Sequence, residues 1–167
     1  DRVAIIGAGT MGGGIAMSFA NAGIPVTLIE TGEEQLKRGM GVMQKNYEAT
    51  AARGGIPADA PAKRMGLIKG VVGLENVKDA DLVIEAVFET MAVKKEVFEA
   101  LDKHAKPGAV LASNTSYLNI DEIAKVTKRP QDVLGMHFFS PANVMKLCEI
   151  VRAEKTAPDA LTTAVAI

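Results

Sequence analysis

A short apolar run, Val3-Ala4-Ile5-Ile6, passes directly into Gly7-Ala8-Gly9-Thr10-Met11-Gly12, and Ile15, Ala16 and Met17 follow at helical spacing. A strand that must turn into a helix within a few residues leaves few folds open. Gly7 permits the tight turn, Gly9 lets backbone come close to a ligand, and Gly12 lets the helix pack against the strand. The N–H groups that open the helix, at Thr10 and Met11, then stand at the positive end of its dipole. That end suits an anion such as a dinucleotide pyrophosphate. Glycine-rich turns are common, so the motif gains its weight from its setting: a strand before it, a helix after it, and an acid at the end of the next strand.

That acid is Glu30, which closes the run Pro25-Val26-Thr27-Leu28-Ile29. It lies 18 residues beyond Gly12, close to the spacing of roughly 20 at which a carboxylate reaches the adenosine ribose. A carboxylate there accepts hydrogen bonds from ribose hydroxyls and repels a 2′-phosphate, which favours NAD over NADP. The competing reading is a solvated acid at a strand end.

Apolar and charged runs alternate along the remaining chain in a way that predicts a parallel sheet covered by helices on both faces. Helices are expected over residues 11–22, from a Thr31–Glu34 capping box to Gly54-Gly55, between Pro57 and Met65, and through Val93, Val97, Ala100 and Leu101. A short one is marked by Ile120, Ile123 and Ala124. Strands are expected over residues 68–72, 81–87, 110–112, 133–137 and 147–151. Ligands gather at the carboxyl ends of such strands, and Ser116 and His137 lie at or just beyond two of them. The long second helix carries Lys37, Arg38, Lys45 and Arg53. Lys45 among them is a candidate for a phosphate-bearing substrate such as coenzyme A, against the plainer reading of a solvated helix face.

The 167 residues suit one domain, 1–167, with a substantial core. With a net charge of -1 there is no basic footprint for nucleic acid or an anionic membrane, and no apolar run reaches the ~20 residues of a membrane span. The single Cys148 excludes an internal disulfide. It fits a reducing compartment, bacterial cytoplasm or one such as the peroxisome. It lies in Leu147-Cys148-Glu149-Ile150-Val151, which points to packing rather than nucleophilic use. The chain begins without Met and stops on Ile167 inside a helical pattern opened by Pro158-Asp159, so a domain cut from a longer chain is expected.

A dehydrogenase that takes hydride from an alcohol carbon must also remove the hydroxyl proton, and histidine suits that task near neutral pH. Of two histidines, His104 sits in the polar Asp102-Lys103-His104-Ala105-Lys106 and reads as a surface residue at a helix end. His137 sits at a strand end in Gly135-Met136-His137-Phe138-Phe139-Ser140-Pro141. Glu149, an acid inside an apolar run, is costly to bury unless solvated or paired. Paired with His137 it would fix the tautomer and stabilise the imidazolium; on an edge strand it would simply face water. The run Ser113-Asn114-Thr115-Ser116 offers polar groups one strand earlier, or an ordinary capping turn. No zinc-ligand spacing, G-x-S-x-G or Walker motif occurs, and no metal site is expected.

Four stretches together resemble the NAD-binding domain of the 3-hydroxyacyl-CoA dehydrogenases: Ile6-Gly7-Ala8-Gly9-Thr10-Met11-Gly12; Val83-Ile84-Glu85-Ala86-Val87-Phe88-Glu89; Ser113-Asn114-Thr115-Ser116; and Gly135-Met136-His137-Phe138-Phe139-Ser140-Pro141 through Met145-Lys146-Leu147-Cys148-Glu149. They cover essentially the whole chain, and Phe-Phe-Ser-Pro looks most like the dehydrogenase segments of multifunctional fatty-acid oxidation enzymes. The resemblance implies a Rossmann-type, doubly wound α/β fold with a mostly parallel sheet. It implies oxidation of an L-3-hydroxyacyl-CoA to the 3-ketoacyl-CoA with NAD as cofactor. His137 would be the general base and Glu149 its orienting acid. Ser116 would touch the substrate's 3-oxygen and the cofactor; Glu30, Glu89, Lys94 and Ser140 would approach the cofactor. Many members carry Asp where Glu30 stands, and several carry Asn where Ser140 stands. The family's C-terminal helical domain, absent from this chain, supplies an Asn, much of the acyl cleft and the surface of a homodimer. Other expectations compatible with the residues are a gulonate or 3-hydroxybutyryl-CoA dehydrogenase, or an NAD-binding module that is inactive alone.

Overall fold

The computed structural model describes residues 2–167. Seven strands form one sheet: β1 (Val3–Ile6), β2 (Val26–Glu30), β3 (Ile68–Val72), β4 (Leu82–Glu85), β5 (Val110–Ser113), β6 (Val133–Phe138) and β7 (Cys148–Val151), in the spatial order β3-β2-β1-β4-β5-β6-β7. The helices are α1 (Thr10–Asn21), α2 (Glu33–Ala52), α3 (Ala60–Met65), α4 (Met91–His104), α5 (Ile120–Ala124) and α6 (Pro158–Ala166). The first three strands step outward from β1 in one direction and β4 to β6 step outward in the other. The crevice where the order reverses therefore opens at the carboxyl ends of β1 and β4, the usual ligand position in such sheets.

The strand sequences explain why both faces are covered. Along β1, Val3 and Ile5 pack with Ile15, Ala16 and Phe19 of α1, while Ala4 and Ile6 pack with Val97, Phe98 and Leu101 of α4. The period of two sends alternate residues to opposite faces, and an uninterrupted apolar run fills both. All four residues of β1, and all four of β4 and β5, are buried.

The structure corrects several expectations. β7 runs antiparallel to β6, because the connecting residues 139–147 contain no helix and are too few for a crossover to a parallel strand. β4 stops at Glu85 instead of continuing to residue 87, because the Glu85 carboxylate accepts the Val87 N–H at 2.8 Å and curls the chain. The Thr31–Glu34 capping box does not form. Helix α2 is entered at Gly32 without a side-chain cap, and the Thr31 N–H that Glu34 would have met donates to Glu30 instead, at 3.0 Å. On α4 Val97 and Leu101 are buried as expected, but the stripe is completed by Lys94 and Phe98, while Val93 and Ala100 are only half-buried. His104, in the last turn of α4, is partly buried rather than fully at the surface.

Helix α1 packs against β1 closely enough that a Cβ on Gly12 would lie 1.8 Å from the Gly7 carbonyl oxygen, whereas one on Gly9 would meet nothing within 4 Å. Gly12→Ala is therefore expected to cost about 3 kcal/mol or more of stability and Gly9→Ala about 0.5 kcal/mol. Denaturant unfolding checks the contrast, and equal costs would contradict this packing.

Candidate functional site

Three strand ends meet around the glycine turn. Gly7 has φ +102°, and a Cβ there would lie 2.7 Å from the Ala86 carbonyl, so the position requires glycine on both conformational and steric grounds. Its N–H donates to the Ile29 carbonyl at 2.8 Å, and the Ala86 N–H donates to the Ile6 carbonyl at 2.9 Å. The turn is thus gripped between the ends of β2 and β4. Gly9 is the extended N-cap of α1 and offers no side chain to its first N–H groups, which leaves the donors at Thr10, Met11 and Gly12 without intrahelical partners. The Glu30 carboxylate leans over the turn and accepts the Ala8 N–H at 2.8 Å.

These groups line a cleft of about 650 Å³, walled by Gly9, Thr10 and Glu30 on one side, by Arg38 and Asn46 of α2 on another, and by Phe88 at the far rim. An uncapped helix N-terminus, open space beside Gly9 and a carboxylate at the rim fit a dinucleotide with a free ribose diol. The backbone from Gly7 to Gly12 would hold its pyrophosphate and Glu30 its adenosine ribose. Lys37, Lys45 and Arg53 do not line this cleft. Lys45 is exposed beside it, since on a helix the residues that share Arg38's face are Val42 and Asn46, at i+4 and i+8. Asn46 was missed by an emphasis on charge, although that spacing marks it.

At the end of β4 the structure holds a buried ion pair. Glu85 is 0% and Lys94 1% exposed, and their side chains meet at 2.6 Å. Lys94 therefore points beneath the strand end rather than into the open cleft where a cofactor contact was expected. Glu89 is exposed, and its carboxylate accepts the Thr115 hydroxyl, which ties the loop after β4 to the loop after β5.

His137 and Glu149 are direct partners in the antiparallel register of β6 and β7. His137 Nδ1 lies 3.3 Å from Glu149 Oε2, with the imidazole 21% and the carboxylate 56% exposed. Pairing and solvation thus both hold: Glu149 is on an edge strand, faces water, and still reaches the imidazole. The Asn114 side-chain oxygen accepts the Phe138 N–H at 2.9 Å, so the loop that carries Ser116 is fastened beside the residue that follows His137. Ser116 itself is exposed, as is Ser140 at the start of the β6–β7 connection. Among the described residues no group of three or more His, Cys, Asp or Glu could hold a metal ion, and no helix is long and apolar enough to cross a membrane.

Cys148 is half-buried against α1 and β6, and burial, with the neighbouring Glu149 charge, pushes its thiol up to about 11. At pH 8 far less of it is thiolate than in a free cysteine, so thiol reagents are expected to modify it about 100-fold more slowly than an exposed cysteine. Rates followed with a chromogenic disulfide check this, and ordinary cysteine reactivity would contradict it.

The chain has clear relatives. A family model described as "3-hydroxyacyl-CoA dehydrogenase, NAD binding domain" matches residues 2–167. The peroxisomal bifunctional enzyme of Danio rerio is 45% identical over 167 residues, covering 100% of this chain and 23% of that protein. The crystal structure of FadB2 from M. tuberculosis superposes with a TM-score of 0.94 at 42% identity, covering 96% of this chain and 57% of that one. A 3-hydroxybutyryl-CoA dehydrogenase from Escherichia coli superposes with a TM-score of 0.94 at 36% identity, covering 98% of this chain and 35% of that one. The chain thus spans less than a quarter of the length of this Danio rerio relative. The glycine turn, the acid that closes β2 and a family match over the whole described chain lead to one statement: the chain belongs to the family of 3-hydroxyacyl-CoA dehydrogenase NAD-binding domains.

Proposed function

We propose that this domain is the cofactor-binding and proton-abstracting half of an enzyme that oxidises 3-hydroxyacyl-CoA to 3-ketoacyl-CoA in fatty-acid β-oxidation. The observation that carries the reading is the His137–Glu149 contact at 3.3 Å, at the carboxyl end of β6 beside the loop of Ser116. With Nδ1–H donating to Glu149, Nε2 of His137 keeps its lone pair free to accept a proton. It takes the substrate's 3-hydroxyl proton, and Glu149 stabilises the imidazolium that results. The Ser116 hydroxyl donates to the 3-oxygen as it gains negative charge, which lowers the barrier where charge develops. NAD, when bound, supplies the acceptor for the hydride from C3. Glu89 would approach the cofactor, Ser140 would lie on its nicotinamide side, and Glu30 would hold its adenosine ribose.

The remaining substrate contacts belong to chain beyond this domain. A helical C-terminal domain closes the acyl cleft and provides a homodimer surface, and the isolated domain binds NAD but turns over poorly. The peroxisomal name of the Danio rerio relative supports a compartment such as the peroxisome. The likeness to the Escherichia coli 3-hydroxybutyryl-CoA dehydrogenase favours a second reading, a short-chain enzyme. Rates across acyl lengths from four carbons upward separate the two.

In the full-length enzyme, His137→Gln should lower kcat by about 100-fold or more while NAD affinity stays unchanged. Glu149→Gln should lower kcat by about 100-fold. Steady-state kinetics with a 3-hydroxyacyl-CoA check both, and parental turnover in either variant contradicts the role assigned.

A further inference from the structure

The buried pair at the end of β4 is not used by the reaction as described, and packing alone does not require it. The last registered row of the sheet reads Ile29, Ile6, Glu85, Ser113 and Gly135 across β2, β1, β4, β5 and β6. Ile29 is 0% and Ile6 2% exposed, so apolar side chains fill this row next to Glu85 without difficulty. Replacing a buried ion pair by well-packed neutral groups is often neutral or stabilising. A charge pair in this row therefore calls for a reason other than stability.

The hydrogen bonds of Glu85 supply one. Its Oε2 accepts the Val87 N–H at 2.8 Å and the Lys94 ammonium at 2.6 Å, which fixes the 86–90 loop and the first turn of α4. Its Oε1 accepts the Ser113 hydroxyl at 2.6 Å. The same Ser113 oxygen accepts the Thr115 N–H at 3.3 Å, which carries the constraint into the loop of Ser116. The Glu89–Thr115 contact closes the two loops at their outer ends. One carboxylate thus holds the cofactor-side loop with one oxygen and the substrate-side loop with the other. Side chains locked in this way are what hold reacting groups at a productive separation.

We propose that Glu85 is a positioning residue that sets the separation between the cofactor-side loop, residues 86–90, and the substrate-side loop, residues 114–118. The inference rests on reading the cleft as a dehydrogenase site. The Val87 N–H and the Lys94 ammonium share one carboxylate oxygen and the Ser113 hydroxyl takes the other, so the two arms respond to different substitutions.

The experiment uses the full-length enzyme and two readouts, NADH affinity from its fluorescence and steady-state kcat with a 3-hydroxyacyl-CoA. Glu85→Gln alone strands the Lys94 charge and is avoided. Lys94→Met alone would likewise strand the Glu85 carboxylate, so Glu85→Gln/Lys94→Met removes both charges together and leaves neither partner buried and unpaired. The double variant is expected to fold and to bind NADH about 10-fold more weakly than the parent enzyme. Ser113→Ala cuts only the substrate-side arm; it should keep parental NADH affinity and lose about 10-fold in kcat. A folded double variant with parental NADH affinity, or Ser113→Ala with parental kcat, overturns the proposal. If the parent enzyme oxidises no 3-hydroxyacyl-CoA, the functional reading fails. The NADH comparison needs no acyl substrate and still decides the role of Glu85.

Discussion

No side chain fits at Gly12, because the Gly7 carbonyl oxygen occupies the place where a Cβ would stand. That single close approach sets the angle at which α1 leaves β1, and the rest of the site is arranged around it. The turn can be this tight only because Gly7 adopts a positive φ beneath the Ala86 carbonyl. The contact with Ala86 locks the turn to β4, and the hydrogen bond to the Ile29 carbonyl locks it to β2. The uncapped end of α1 then faces the crevice at which the strand order reverses, and a dinucleotide is bound where three elements have already been fixed by packing.

The polar groups of the crevice follow from the same frame. A buried sheet row tolerates a carboxylate only if its acceptors are filled, and Glu85 fills them with a backbone N–H, a hydroxyl and an ammonium. Beyond the buried row the strand ends are free to carry solvated chemistry. Glu30 stays partly exposed at the rim, and Glu149 lies on the outermost strand, where its carboxylate meets water and reaches His137 from the side. In the proposed reading, buried charge serves geometry and exposed charge serves binding and proton transfer.

Much of this was legible in the residues because apolar runs are hard to disguise. Val3 to Ile6, residues 68–72 and Leu82 to Ile84 appear as strands where their composition predicts them. The glycine turn and Glu30 lie where their spacing indicates. The direction of β7 was not legible, since an apolar run does not record its polarity and only the short connection decides it. The Glu85–Lys94 pair was hidden for a different reason. A lysine on a helix is read as solvent-facing, although Lys94 falls at i, i+3, i+4 and i+7 with Val97, Phe98 and Leu101 on the buried stripe. The partnership of His137 with Glu149 was suggested by chemistry, but only the register of β6 against β7 puts the two opposite each other.

The central claim is that the glycine turn and Glu30 together make an NAD site. The direct measurement is a paired titration with NADH and NADPH, followed by fluorescence, on the parent protein and on Glu30→Gln. NADH should bind the parent at least about 100-fold more tightly than NADPH, since a 2′-phosphate would face the Glu30 carboxylate, and the substitution should narrow that gap. Equal affinity of the parent for the two dinucleotides would contradict the account.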